Sequence, residues 1–125
     1  METFNVVIAD DHPIVLLGVR ELVERDRRFN VVGEALCPDG LIELLKSQPV
    51  DLLITDFNMP GMNGIEVMQE MLAIHPALKT AIASGFVDEA LTEAAREAGV
   101  NRLIFKESAV EDFCAVIRAL IEETS

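Results

Sequence analysis

The sequence predicts a three-layer α/β sandwich, a mainly parallel sheet of five strands covered by helices on both faces. Three observations predict it. Five short runs rich in Val, Ile and Leu are each followed by a helical pattern. The runs are nearly continuous rather than alternating, which marks strands buried on both faces, and parallel strands need crossover connections that the helices supply. The chain has 125 residues, 50% of them apolar, enough for one core and too few for two ordinary domains.

The first strand is predicted over residues 5–10, and Pro13 marks the first turn of the helix after it, where a missing N–H costs nothing. The second strand is residues 29–35, with Asp39 near the start of its helix. The third, residues 50–55, precedes Ile65, Met68, Met71 and Leu72, which share one helical face. The fourth, residues 80–83, leads to a helix whose expected buried face is Ala90, Leu91, Ala94, Ala95 and Ala98, stopped by Gly99. Mostly methyl groups, that face makes either a thin core or a helix suited to moving. The fifth, residues 102–105, precedes Val110, Phe113, Cys114, Ile117 and Ile121, which recur on one face. Right-handed crossovers then give the strand order 2-1-3-4-5, a flavodoxin-like, doubly wound (βα)5 arrangement. Its first and third strands are neighbours where the winding reverses, and ligands bind there, outside the carboxyl ends.

Composition narrows the function classes. Ten Lys and Arg against 22 Asp and Glu leave a net charge of −12, which repels phosphate backbones and anionic lipid. Direct nucleic-acid or membrane contact by this chain is therefore not expected, and the cluster Arg25-Asp26-Arg27-Arg28 is predicted to be a solvated turn. The longest nearly apolar stretch, residues 14–19, is far below the roughly 20 residues of a membrane span. The N-terminus lacks the pattern of a signal peptide, so a cytoplasmic location is expected. Cys37 and Cys114 are predicted to be buried or half-buried free thiols, and His12 and His75 a solvated loop residue and a helix-end residue. The methionines are expected to pack in the core or at its rim.

Acidic residues mark the reversal point. Asp10 and Asp11 end the first strand and Asp56 ends the third. Three anions so placed either share a proton, hold a hard cation such as Mg²⁺, or only cap the following helices. Ser84 after the fourth strand and Lys106 after the fifth bring a hydroxyl and a cation to the same rim, which makes chance placement the weaker reading.

The acid pair Asp10-Asp11, the stretch Asp56-Phe57-Asn58-Met59-Pro60-Gly61-Met62-Asn63-Gly64, Ser84-Gly85 and Lys106 together resemble the receiver domain of two-component response regulators. The order and spacing match over essentially the whole chain. Asp11-His12-Pro13 and the residues to Arg20, with Lys106-Glu107-Ser108, are similar to the NarL/FixJ-type subfamily.

The resemblance implies a single receiver domain over residues 1–125, with no output domain in this chain. It implies that Asp56 accepts a phosphoryl group from a histidine kinase or phosphotransfer protein. Mg²⁺ would be held by Asp10, Asp11, Asp56 and the backbone carbonyl of Asn58, with Lys106 and Ser84 contacting phosphoryl oxygens. A carboxylate needs no general base to attack phosphorus; it needs neutralised charge and alignment. Ser84, drawn to the new group, would bias the fourth helix. A homodimer on phosphorylation and control of a DNA-binding output domain in a longer protein are further implications, with a stand-alone receiver as the alternative. Catalysis is expected only on itself. A Mg²⁺-dependent phosphohydrolase is the enzyme alternative, and Asn58 stands where such enzymes place a second Asp. Three features depart from the family pattern: Leu103 replaces the usual aromatic switch residue, Glu107 a common Pro, and Ser84 the commoner Thr. Asn58 and Phe86, two positions past Asp56 and Ser84, are expected to flank the path of hydrolytic water, and apolar Phe86 predicts slow self-dephosphorylation.

Overall fold

A computed structural model describes residues 3–59, 62–85, 88–105 and 110–122. The chain begins with β1 (Phe4–Ala9), α1 (Pro13–Val23), β2 (Phe29–Ala35), α2 (Pro38–Ser47) and β3 (Leu52–Asp56). A small hairpin, β4 (Asn58–Met59) with β5 (Met62–Asn63), follows, and then α3 (Gly64–Ile74). The rest is β6 (Lys79–Ser84), α4 (Glu89–Glu97), β7 (Arg102–Phe105) and α5 (Val110–Glu122). The main sheet is parallel, in the order β2-β1-β3-β6-β7, which is 2-1-3-4-5 once the hairpin is set aside. The hairpin is a correction to the sequence reading: two-residue strands are too short to show a period.

Two cores form because the central strands are buried on both faces. Val6, Ile8, Leu52 and Ile54 join Leu16 of α1 and Phe113, Ile117, Leu120 and Ile121 of α5 on one side. Val7, Leu53 and Ile82 join Leu41 and Leu45 of α2 and Val67, Met68 and Met71 of α3 on the other. Leu120 and Val67 extend the predicted helical faces.

Local signals explain the element ends. Pro13 and Pro38 sit in the first turns of α1 and α2. α4 stops at Gly99, whose φ of 89° favours glycine. There the N–H of Gly99 donates to the Arg96 carbonyl and that of Val100 to the Ala95 carbonyl, satisfying the helix's last acceptors. At Gly33 a Cβ would stand 2.7 Å from the tip of the Leu44 side chain, which would have to shift to admit a larger residue.

The expected buried face of α4 is corrected. Ala90 and Ala94 are exposed, Leu91 and Ala98 half-buried, and only Ala95 is buried. A run of alanines carries too little hydrophobic contrast to orient a helix. Cys37 is exposed, not buried as expected, because it precedes α2 as its N-cap; Cys114 is half-buried, and both are free. His75 closes α3 as expected, its Nε2 bonded at 2.8 Å to the Leu45 carbonyl of α2.

Candidate functional site

The sheet order brings the ends of β1, β3 and β6 side by side. Asp10 follows β1, with its N–H on the Ala35 carbonyl at 3.1 Å. Asp56 is the last residue of β3 and pairs with Ala83 of β6, one residue before Ser84. The chain leaving β3 is tied to β6 by the Phe57 N–H on the Ala83 carbonyl at 2.8 Å. Asp10, Asp56 and Ser84 are only 4–5% exposed. Burying carboxylates to this degree is costly unless something answers their charge.

Ligand atoms of Asp10, Asp11, His12 and Asp56 lie within 4.8 Å of one another. At such separations each pair of like charges repels by about 4 kcal/mol at an effective dielectric of 20. Below them an apolar cleft of about 340 Å³ runs between the sheet and helices α1 and α5, lined by Ile8, Leu16, Ile54, Ile104 and Phe113 among others. An apolar floor does nothing to screen the repulsion.

Sequence reasoning missed His12 as a member of this cluster. Its ring is largely exposed, as expected, yet Nδ1 lies 2.9 Å from an oxygen of Asp10 and 2.9 Å from an oxygen of Asp11. Its backbone N–H also donates to Asp10 Oδ1 at 3.0 Å, closing a turn that starts α1. The available signal was an Asp two residues before a helix-opening residue, which favours such a turn.

The donor set fits a hard divalent cation. It offers carboxylate oxygens from three residues, and Asp11 Oδ1 is buried without a well-aligned hydrogen bond. Of the other expected site residues, Asn58 is described only through its backbone in β4, and Lys106 and Phe86 lie outside the described residues. Leu103 is half-buried and packs against the core on the α2 and α3 side. Phe105, two residues on, is 40% exposed, so it does not fill the same place.

The model of the response regulator receiver domain matches residues 6–118. The chain belongs to that family. Its relatives include the transcriptional regulatory protein RcsB of Escherichia coli K12, 33% identical over 123 residues, 96% of this chain and 57% of RcsB. The receiver domain thus spans little more than half the length of that relative. Among solved structures, the isolated receiver domain of RcsB from Salmonella enterica serovar Typhimurium, with the phosphomimetic BeF3⁻, superposes with a TM-score of 0.90. It is 32% identical, over 97% of this chain and 90% of that one. The signal receiver domain of the response regulator NarL from Mycobacterium tuberculosis gives 0.86 at 28% identity, covering 96% and 98%. Both relatives agree with the NarL/FixJ-type resemblance.

Proposed function

We propose that this receiver domain is a phosphorylation switch in which Asp56 is the acceptor. The observation that supports it is the meeting of three carboxylates at the reversal point of a family-matched fold. A carboxylate oxygen of Asp56 attacks the phosphorus of a kinase phosphohistidine in line; the new O–P bond forms as the N–P bond breaks, and its electron pair stays on the imidazole nitrogen. Asp10, Asp11, Asp56 and the Asn58 carbonyl would hold Mg²⁺, which supplies neutralisation of the charge gathered on the phosphoryl oxygens. Lys106 places its ammonium on another phosphoryl oxygen, and Ser84 donates its hydroxyl to a third. Asn58 and Phe86 set how readily water removes the group, so Phe86→Asn is expected to speed its loss from Asp56. Leu103 stands in place of the aromatic switch.

The regulatory reading follows from the same site. The only turnover is on the chain itself. Ile14 and Leu17, 80% and 56% exposed, leave an apolar spot on α1 next to Asp10 and Asp11 that a helical kinase or phosphotransfer partner would cover. Residues 1–125 act as one receiver unit in the cytoplasm; no described helix is long and apolar enough to cross a membrane. In a longer protein the unit would govern a DNA-binding part, with phosphorylation promoting a homodimer; the DNA contact would fall to that part and not to this chain.

The test is incubation with acetyl phosphate, with and without Mg²⁺, followed by intact-mass measurement. One phosphoryl group is expected on the wild type with Mg²⁺ and none on Asp56→Asn. Modification that persists in Asp56→Asn, or that ignores the metal, overturns the assignment.

A further inference from the structure

Away from the acids, a second cleft of about 510 Å³ lies between the α1–β2 turn and α5. Its floor is apolar: Val23, Phe29 and Ile117 are buried, and Leu22 and Cys114 half-buried. Its walls carry Arg25, Arg27 and Arg118 against Asp26 and Glu111. Residues 25–28 form the expected turn, with Arg25 and Arg27 exposed and Asp26 and Arg28 half-buried. Arg28 turns away to pair with Asp26 at 2.9 Å, lies 5.9 Å from the centre of the Phe29 ring, and reaches within 3.9 Å of Glu122.

The charges are unusual for this chain. Acids outnumber bases by 22 to 10 overall, yet three of the ten bases line one cleft. Among the described residues, Arg25, Arg27 and Arg118 make no ion pair within 4.0 Å, although the charge of Arg118 reaches Asp26, which is itself paired with Arg28. Hydrogen bonds from the Arg28 side chain, foremost, hold the Asp26 carboxyl below the ordinary carboxylate range. That leaves three arginines and Glu111 lining the cleft around its apolar floor. The volume falls within the range of small-molecule sites, and guanidinium groups bind carboxylate, phosphate and sulfonate by paired N–H donors.

We propose that this cleft is a binding site for a small organic anion with an apolar body, its head group held by Arg25, Arg27 and Arg118 and its body seated on Val23, Phe29 and Ile117. Such a site would let a soluble effector act on the receiver without touching the phosphoacceptor rim.

The test uses 8-anilinonaphthalene-1-sulfonate and octyl phosphate as probes, a flat aromatic anion and a chain-like one. Either is expected to bind, and which binds tighter separates an aromatic effector from a lipid-like one. Amide shifts in NMR spectra are expected to cluster in residues 22–29 and 111–118, and iodoacetamide labelling of Cys114, but not Cys37, to slow. The triple variant Arg25→Gln/Arg27→Gln/Arg118→Gln is expected to weaken binding at least tenfold. It should leave affinity for the uncharged N-phenyl-1-naphthylamine unchanged. All three positions are exposed, so folding should survive, and phosphorylation by acetyl phosphate reports it. Failure of both probes to bind, unchanged affinity in the triple variant, or shifts confined to the cleft under Asp10 and Asp56 overturns the proposal and leaves the Asp56 reading intact.

Discussion

Helices α4 and α5 both pack on the edge strand β7, and they do so by different means. α5 buries Phe113, Ile117, Leu120 and Ile121, each contributing about 1.5–3 kcal/mol. α4 buries Ala95 alone, a single methyl group of about 0.8 kcal/mol. What holds α4 lies at its ends: the Asp88 carboxylate accepts from the Leu91 N–H at 2.8 Å, and the carbonyls of its last turn are closed at Gly99 and Val100. A helix anchored through its face resists displacement as part of the core. One anchored through its ends can shift its middle at small cost, and α4 is the helix that follows the strand ending in Ser84.

The largest effect should come from α5. Leu120→Ala is expected to lower stability by about 2–5 kcal/mol in urea unfolding, whereas Ala95→Gly on α4 should lower it by about 1 kcal/mol. Equal losses would abolish the contrast. Amide hydrogen exchange should show α4 opening at least about tenfold more often than α5, and BeF3⁻ with Mg²⁺ should change protection in α4 while leaving α5 as it was. Removing the N-cap by Asp88→Ala should lower stability by about 1 kcal/mol and raise exchange in α4 only.

The smallest effect concerns the turn beside α5. With the Asp26 carboxyl held low, chiefly by hydrogen bonds from the Arg28 side chain, its pairing stabilises the fold above the unfolded value near 3.8 and is lost as the pH falls through the lower folded value. Asp26→Asn should therefore melt slightly earlier at pH 7. The gap from the wild type should close as the pH falls well below 3.8. A gap that persists in acid would mean that the turn is held by packing instead.

The five long strands were legible as runs of Val, Ile and Leu. Residues 29–35 and 102–105 form strands with the predicted ends, and β1, β3 and β6 differ from prediction by one or two residues. The placement of Asp10, Asp11 and Asp56 followed from strand order, since winding alone decides which strand ends are neighbours. His12 was not legible because its place depends on a local turn, and the alanine face of α4 was not because methyl groups favour neither side strongly. The cleft beside the 25–28 turn was not legible for a third reason: net charge describes a whole chain and says nothing of Arg28 pairing with Asp26 while Arg25, Arg27 and Arg118 line a cleft.

At the far end of β6 from Ser84, the Asn101 side-chain oxygen accepts from both the backbone N–H and the hydroxyl of Thr80, at 2.9 and 3.1 Å. The Asn101 N–H in turn donates to the same hydroxyl at 3.2 Å. This clasp fastens the entry to β7, a strand of only four residues. A slip of one position would reverse every side chain on it. Asn101 therefore acts at a distance as a ruler for the last strand: by fixing where β7 starts, it fixes that Phe105 comes level with Ser84 at the other end.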